Sequence, residues 1–459
     1  MSLEPNAKKA RKATDSVEKE MDMDEASEMM KGFWSDESSS QLKSTSKFLT
    51  FLSSNAPPSI VDVLIRTGIV RRFVNFLKKE DDSMLQNEAA CVLSKIAYKN
   101  PKAIIEDQAV PILVRFASSI NGDDDLREEA TLALGHVAYD SLESRNHVLS
   151  CGALLPLLAQ LNEDTKLSML RMATWTLSNL CRGQPPLLFD QVKLVVAELV
   201  EKVLHLEDKE VLANACWAFY YLSYDSEDGI QSLVDADLVP RLVGFLQHTS
   251  PSVFGAALCV IGNIATGDNQ QTQSVIDSGV LPILANMLTQ DYDKGVEKDA
   301  CWTVSNIIAG TEEQIQSVID ANLIPTLVNL TQNDKFDIKK DALWAISKAA
   351  SGGSDDQIKY LVEKNCIKPL CDFLVCEDPE IISLCLDGLE NILMAGEVEK
   401  NNTGDQVNCY SKLIDDAQGQ KMIEKLQSHE DNEIYEKALK ILETYWPEEE
   451  DEETQQPPM

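Results

Sequence analysis

The sequence holds 459 residues with 41 Lys and Arg against 75 Asp and Glu, a formal charge of −34. That length exceeds what one compact core usually supports, so the chain is either several domains or a repeat array whose core grows along one axis. The acidic balance argues against nucleic acid as a direct ligand and for basic partners, and no apolar run reaches the roughly 18 residues needed to span a bilayer.

In chain order, residues 1–45 read as a disordered N-terminal tail with one short basic cluster, Lys8, Lys9, Arg11 and Lys12, and no apolar segment behind it. Over residues 46–446 the reading is entirely helical and repetitive. A first, irregular helix pair is predicted in SIVDVLIRTGIVRRFVNFL from Ser59. Seven segments then align without gaps: LQNEAACVLSKIA from Leu85, LREEATLALGHVA from Leu126, MLRMATWTLSNLC from Met169, VLANACWAFYYLS from Val211, VFGAALCVIGNIA from Val253, VEKDACWTVSNII from Val296 and IKKDALWAISKAA from Ile338. Their starts lie 41, 43, 42, 42, 43 and 42 residues apart. A period of about 42 belongs to the armadillo and HEAT class of helical repeats.

Shorter segments alternate with these: GALLPLLAQL from Gly152, DLVPRLVGFL from Asp237, GVLPILANML from Gly279 and NLIPTLVNL from Asn322. Gly, Asp or Asn tolerates a left-handed turn, and the Pro that follows suits the first turn of a new helix. A last irregular copy is IISLCLDGLENIL from Ile381. Residues 447–459 read as an acidic disordered tail, with six acids in a row from Glu448 to Glu453. The predicted fold is all-α, a right-handed superhelical solenoid of about ten armadillo repeats.

Within each aligned segment of 13 residues, position 5 is always Ala, position 9 is large and apolar, and position 12 is apolar. At about 100° per residue these form one packing stripe, with Ala allowing close helix approach. Positions 7 and 11 point away from it. Position 7 reads Cys91, Leu132, Trp175, Trp217, Cys259, Trp302 and Trp344; position 11 reads Lys95, His136, Asn179, Tyr221, Asn263, Asn306 and Lys348. Two readings stand side by side: the Trp rings pack against neighbouring repeats, or they line a ligand groove. Repeats about 10 Å apart meet an extended peptide every third residue. Trp faces then make slots for the stems of Lys or Arg and attract their cationic heads at about 0.5–2 kcal/mol each. An Asn amide offers both a donor and an acceptor to the peptide backbone. Asp140, Asp268, Asp299 and Asp341 are candidate acids beside the slots.

Chemistry of other kinds finds little support. The eleven cysteines are scattered from Cys91 to Cys409, and the spacing of Cys366, Cys371 and Cys376 lacks the paired CxxC of a zinc site. They read as buried thiols, without disulfides, metal or cofactor. No catalytic residue is assigned, because there is no GxSxG, no Gly-rich phosphate loop and no HExxH among only five His.

The segments MATWTLSNLCR, NACWAFYYLS, IGNIATGDNQQTQSVID and DACWTVSNIIAG resemble the importin alpha family over roughly Leu42 to Trp446. The resemblance implies an adaptor of nucleus and cytoplasm that binds proteins bearing Lys/Arg-rich nuclear localisation signals, with a larger cargo site on early repeats and a smaller one on later repeats. An armadillo scaffold binding other peptides without a transport role is the alternative. Departures from the family pattern fall mostly in the early repeats, where Cys91 with Lys95 and Leu132 with His136 stand for Trp and Asn. The later repeats keep Trp302, Asn306 and Trp344, although Lys348 stands for Asn and Cys259 for Arg. The family also carries a long basic segment for importin beta; residues 1–46 here hold seven basic residues against ten acidic ones. Importin beta is therefore a doubtful partner, and the Lys8–Lys12 cluster is either a short pseudo-ligand or part of a tail.

Overall fold

In the computed structural model the described residues are 23–54, 58–119, 123–162, 164–333, 335–404 and 406–447. Among them all regular structure is helical. Each aligned segment falls on one long helix: α1 (Ser83–Lys99), α2 (Asp124–Asp140), α3 (Leu167–Cys181), α4 (Lys209–Ser223), α5 (Pro251–Ile264), α6 (Lys294–Ile308) and α7 (Phe336–Gly352). Two further long helices follow, α8 (Pro379–Thr403) and α9 (Asn432–Tyr445). Most are preceded by two short helices, as in Asn269–Asp277 and Val280–Thr289 before α6. Before α4 there is one, Phe189–Lys202.

The turns have the chemistry that the short segments predict. Gly152 and Gly279 sit at φ 81°, Asp237 at 51° and Asn322 at 55°. These left-handed residues are of the types that tolerate such a turn, and Pro240 and Pro325 follow in the first turn of the next helix.

The packing stripe is complete. Position 5, from Ala89 to Ala342, and position 9, from Leu93 to Ile346, are fully buried in all seven helices. Position 12 is buried as well, from Ile96 through Leu222 to Ala349. An Ala at the crossing lets backbones approach, so the larger residues at positions 9 and 12 fill the space between successive helices.

The chain divides into two compact units, up to Tyr221 and from Leu222 onward, the boundary falling inside α4. In the first, α1, α2 and α3 stack in order; in the second, α5 to α9 pack in succession.

One boundary needs correction. Residues 1–45 were expected to be a disordered tail, yet helices run over Met23–Phe33 and Ser38–Ser53. Their apolar side chains explain it: Met29, Phe33 and Phe48 are buried, and the Phe33 ring meets Phe48 and Phe73 edge-on at 5.7 and 5.3 Å. Such aromatic pairs hold a helix more firmly than the surrounding Ser and Glu loosen it. The Lys8–Lys12 cluster and the acidic run Glu448–Glu453 lie outside the described residues.

All eleven cysteines are free thiols, and burial pushes those of Cys366 and Cys371 up to about 12. No helix among the described residues is long and apolar enough to cross a membrane, and no group of three or more His, Cys, Asp or Glu there is arranged to hold a metal ion.

Candidate functional site

Position 7 is partly exposed in every one of the seven helices, whereas its neighbours at positions 5, 6, 8 and 9 are buried wherever the stripe is complete. Trp217 and Trp344 are the most open, at 37% and 39%. Trp175 and Trp302 are half-buried, and each packs against a neighbouring repeat. A Cβ on Gly135 would lie 2.4 Å from Trp175, and one on Gly262 would lie 2.3 Å from Trp302. Each ring therefore rests an edge on a glycine of the preceding long helix, which is position 10 of that segment, and keeps its remaining surface open. Position 10 also fixes the local backbone: the hydroxyls of Ser178 and Ser305 donate to the carbonyls of Trp175 and Trp302, both at 2.8 Å.

Position 11 is more enclosed than its angle on the helix suggests. Asn179 and Asn263 are each only 4% exposed. The Asn263 amide donates to Ser223 Oγ at 3.1 Å, and that of Asn306 reaches the Gly262 carbonyl at 3.4 Å. Asn179 differs, because its buried Nδ2 has no hydrogen-bond partner. A buried amide donor left unpaired costs about 1–3 kcal/mol, which a ligand carbonyl would remove.

In the first unit the aromatic residues form a ladder. His136 lies edge-to-face with both Tyr98, at 5.2 Å, and Trp175, at 5.1 Å, and Tyr139 lies 6.5 Å from the same Trp. Burial depresses the His136 pKa, favouring the neutral ring. Trp217 packs with Tyr221 at 6.2 Å. The Arg182 guanidinium sits 5.0 Å over Tyr139 and donates to that residue's carbonyl. Asp140, the last residue of α2, is exposed and accepts from the Ser144 hydroxyl at 3.1 Å.

In the second unit Asp299 and Asp341 stand at position 4 of α6 and α7, on the same face as positions 7 and 11. Both are half-buried. Desolvation raises both carboxyls above the usual range, that of Asp341 to about 6, with Lys298 opposing the shift. The Cys259 thiol donates to Asp299 at 3.6 Å. Asp268 is placed differently: it caps the helix Asn269–Asp277, accepting from the backbone N–H of Gln270 and Gln271, and remains exposed.

Two residues of this kind escaped the sequence reading. Glu88 and Glu129 occupy position 4 of α1 and α2, the register of Asp299 and Asp341, and are likewise half-buried. Glu129 accepts from Ser94 and raises the Cys91 thiol further after burial has pushed it up, to about 12 in all. Glu88 accepts from Ser46 with one oxygen, while Oε2 is buried and unpaired. The recurring acid at position 4 was the available signal.

Comparison with known proteins finds armadillo repeats along the chain. The armadillo/beta-catenin-like repeat model matches residues 57–98, 97–139, 143–182, 226–266, 268–309, 311–351 and 354–394, and an atypical Arm repeat matches 408–459. Importin subunit alpha-1b of Oryza sativa subsp. japonica is 54% identical over 427 residues, covering 92% of this chain and 79% of its own. Importin subunit alpha-2 of Arabidopsis thaliana is 56% identical over 445 residues, covering 96% and 82%. Among solved structures, an engineered protein aligns at a TM-score of 0.79 with 27% identity, over 90% of this chain and 97% of that one.

Proposed function

The chain belongs to the importin alpha family, and we propose that it acts as an adaptor of nucleus and cytoplasm that binds Lys/Arg-rich nuclear localisation signals for import. The observation that carries the reading is one face of the second unit. There Trp302 and Trp344, Asn263 and Asn306, and the half-buried Asp299 and Asp341 lie on three successive long helices. The rings supply slots for the aliphatic stems of Lys or Arg, the carboxylates select the charge, and the amides can hold an extended backbone. Asp268 adds negative charge at the start of a neighbouring helix.

In the first unit Trp175, Asn179, Trp217 and Tyr221 with Asp140 form a weaker set. His136 fills space beside Trp175 and Arg182 brings a cation to Tyr139, so this face offers fewer open slots to a basic peptide. Glu88 and Glu129 offset part of that loss.

Changing Trp302 and Trp344 to Ala is expected to weaken a Lys/Arg-rich peptide by several-fold to a hundredfold, about 1–3 kcal/mol for aromatic clamps. Titration calorimetry of the full chain measures it. If the pair has no effect while Trp175→Ala abolishes binding, the first unit holds the main site. A scaffold without a transport role is favoured by the two lysines Lys95 and Lys348 at position 11. A pull-down with importin beta beside basic signal peptides separates the two roles.

A further inference from the structure

At the end of the Trp array a cation of the chain itself occupies an aromatic slot. Lys348 follows Trp344 by one helical turn, and its ammonium sits 5.2 Å over the Trp344 ring. Both residues line a cleft of about 430 Å³ bounded by α7, α8 and α9.

The carboxylates of this cleft are already engaged. Glu380 pairs with Lys340 at 3.3 Å, and Asp387 and Glu433 both pair with Lys437, at 2.7 and 3.2 Å. Asp431 accepts the backbone N–H groups at the start of α9. Lys348, by contrast, has the Trp344 ring but no carboxylate partner among the described residues. A peptide Lys or Arg reaching this slot must displace an ammonium from the same ring and remain beside it. A carboxylate arriving there meets a half-buried cation seated over the ring and without a carboxylate partner among the described residues.

We propose that Lys348 is a specificity-determining residue which closes the Trp344 slot to peptide Lys and Arg and makes it a subsite for an acidic side chain flanking the basic core. The inference rests on the proposed peptide-binding role and revises one part of it: of the two rings, Trp302 keeps the slot for a basic side chain, and Trp344 with Lys348 takes the acidic flank. The basic core then engages Trp302, with Asn306, Asp299 and Asp341. One repeat, about 10 Å, corresponds to about three residues of extended peptide. The acidic residue is therefore placed about three positions from the lysine held at Trp302.

The test uses the full chain and peptides sharing one Lys/Arg core, with Lys, Gln or Glu placed three residues from the core on either flank. Affinities are measured by calorimetry for the wild type, Lys348→Asn and Lys348→Arg. In the wild type, on one flank, Glu is expected to bind more tightly than Gln and Gln more tightly than Lys. The span from Glu to Lys should be about three- to thirtyfold. Lys348→Asn is expected to reverse the order, since it restores the amide found at Asn263 and Asn306, and Lys348→Arg to preserve it. The inference is overturned if the wild type binds the Lys flank as tightly as the Glu flank, or if Lys348→Asn leaves the order unchanged. If no peptide of the set binds any of the three proteins, the peptide-binding reading itself fails. Loss of core binding in Trp302→Ala separates that result from a failure at Lys348 alone.

Discussion

At the scale of single residues, the acids of the site are held at some cost to the fold. Burial pushes the Asp341 carboxyl from 3.8 up to about 6. A folded-state pKa above the unfolded value means that the folded chain keeps its proton longer. Ionisation of Asp341 therefore costs stability as pH rises from about 4 to about 6, and the cost is complete above that window. A cationic ligand has the opposite preference, since it binds the ionised form. Basic-peptide affinity is expected to fall several-fold from pH 7.5 to pH 5, and Asp341→Asn to remove most of that dependence while raising the melting temperature at pH 7.5. An unchanged pH profile in Asp341→Asn would assign the dependence elsewhere, with Asp299, also raised by burial, the next candidate. The Trp positions show how much was legible at this scale. Their register and partial exposure followed from helical spacing alone. The depth of Asn179 and Asn263 did not, because it depends on how closely neighbouring long helices approach, which Gly135 permits beside Trp175 and Gly262 beside Trp302. Gly262→Val is accordingly expected to displace Trp302, seen as a shift in tryptophan fluorescence, and to weaken basic-peptide binding severalfold.

At the scale of elements, the long helices and their left-handed turns could be read from the 42-residue period, but the joints between repeats could not. In the second unit three short helices start with the same device. Asp268, Thr311 and Ser354 cap them, and Gln271, Gln314 and Gln357 close the capping boxes three residues on. Each Gln amide then reaches back to the preceding repeat: Gln271 to Gln231 at 2.8 Å, Gln314 to the Asn269 carbonyl at 2.8 Å, and Gln357 to the Glu312 carbonyl at 2.8 Å. Gly267, Gly310 and Gly353 stand directly before the caps, and at the first two a Cβ would lie about 2 Å from the Gln carbonyl oxygen. The sequence shows this as Gly-Asp/Thr/Ser-x-x-Gln at a spacing of 43, a signal hidden because Gln is ordinarily a surface residue. Replacing Gln314 by Leu removes one half of a capping box and two inter-repeat hydrogen bonds, to the Asn269 carbonyl and to Gln273. The expected loss is about 1–3 kcal/mol in urea unfolding. Gln316→Leu, which removes one inter-repeat bond, accepted from Gln357, and leaves the capping box intact, should cost less. N-terminal helix Met23–Phe33 was missed for a related reason, since its few apolar residues become a core only when Phe73 from a later helix meets them.

At the scale of the whole molecule, the charge of −34 sets the conditions for binding. A basic peptide is drawn by that field over distances beyond contact, and the attraction weakens once the Debye length falls to about 10 Å at 0.1 M salt. The chain also carries its own basic segment, and its effect is calculable in outline. Lys8, Lys9, Arg11 and Lys12 lie among Glu4, Asp15, Glu18, Glu20 and Asp22, so the net field of the segment is close to neutral and each solvated pair it forms contributes about 0–1 kcal/mol. A tether raises the local concentration of such a cluster to the millimolar range, enough to fill a weak site part of the time but not to exclude a longer basic ligand. The first described helix starts at Met23 with Met29 and Phe33 in the core. The informative truncation therefore removes residues 1–22 and leaves the Phe33–Phe48–Phe73 cluster intact, whereas a cut at residue 45 would unseat it. Removal of residues 1–22 is expected to raise affinity for a Lys/Arg-rich peptide by less than about tenfold at 0.15 M salt, and by less still at 0.5 M. A gain well above tenfold that disappears on Lys8, Lys9, Arg11 and Lys12→Ala would show that four cations on a short tether suffice to hold the Trp302 site closed.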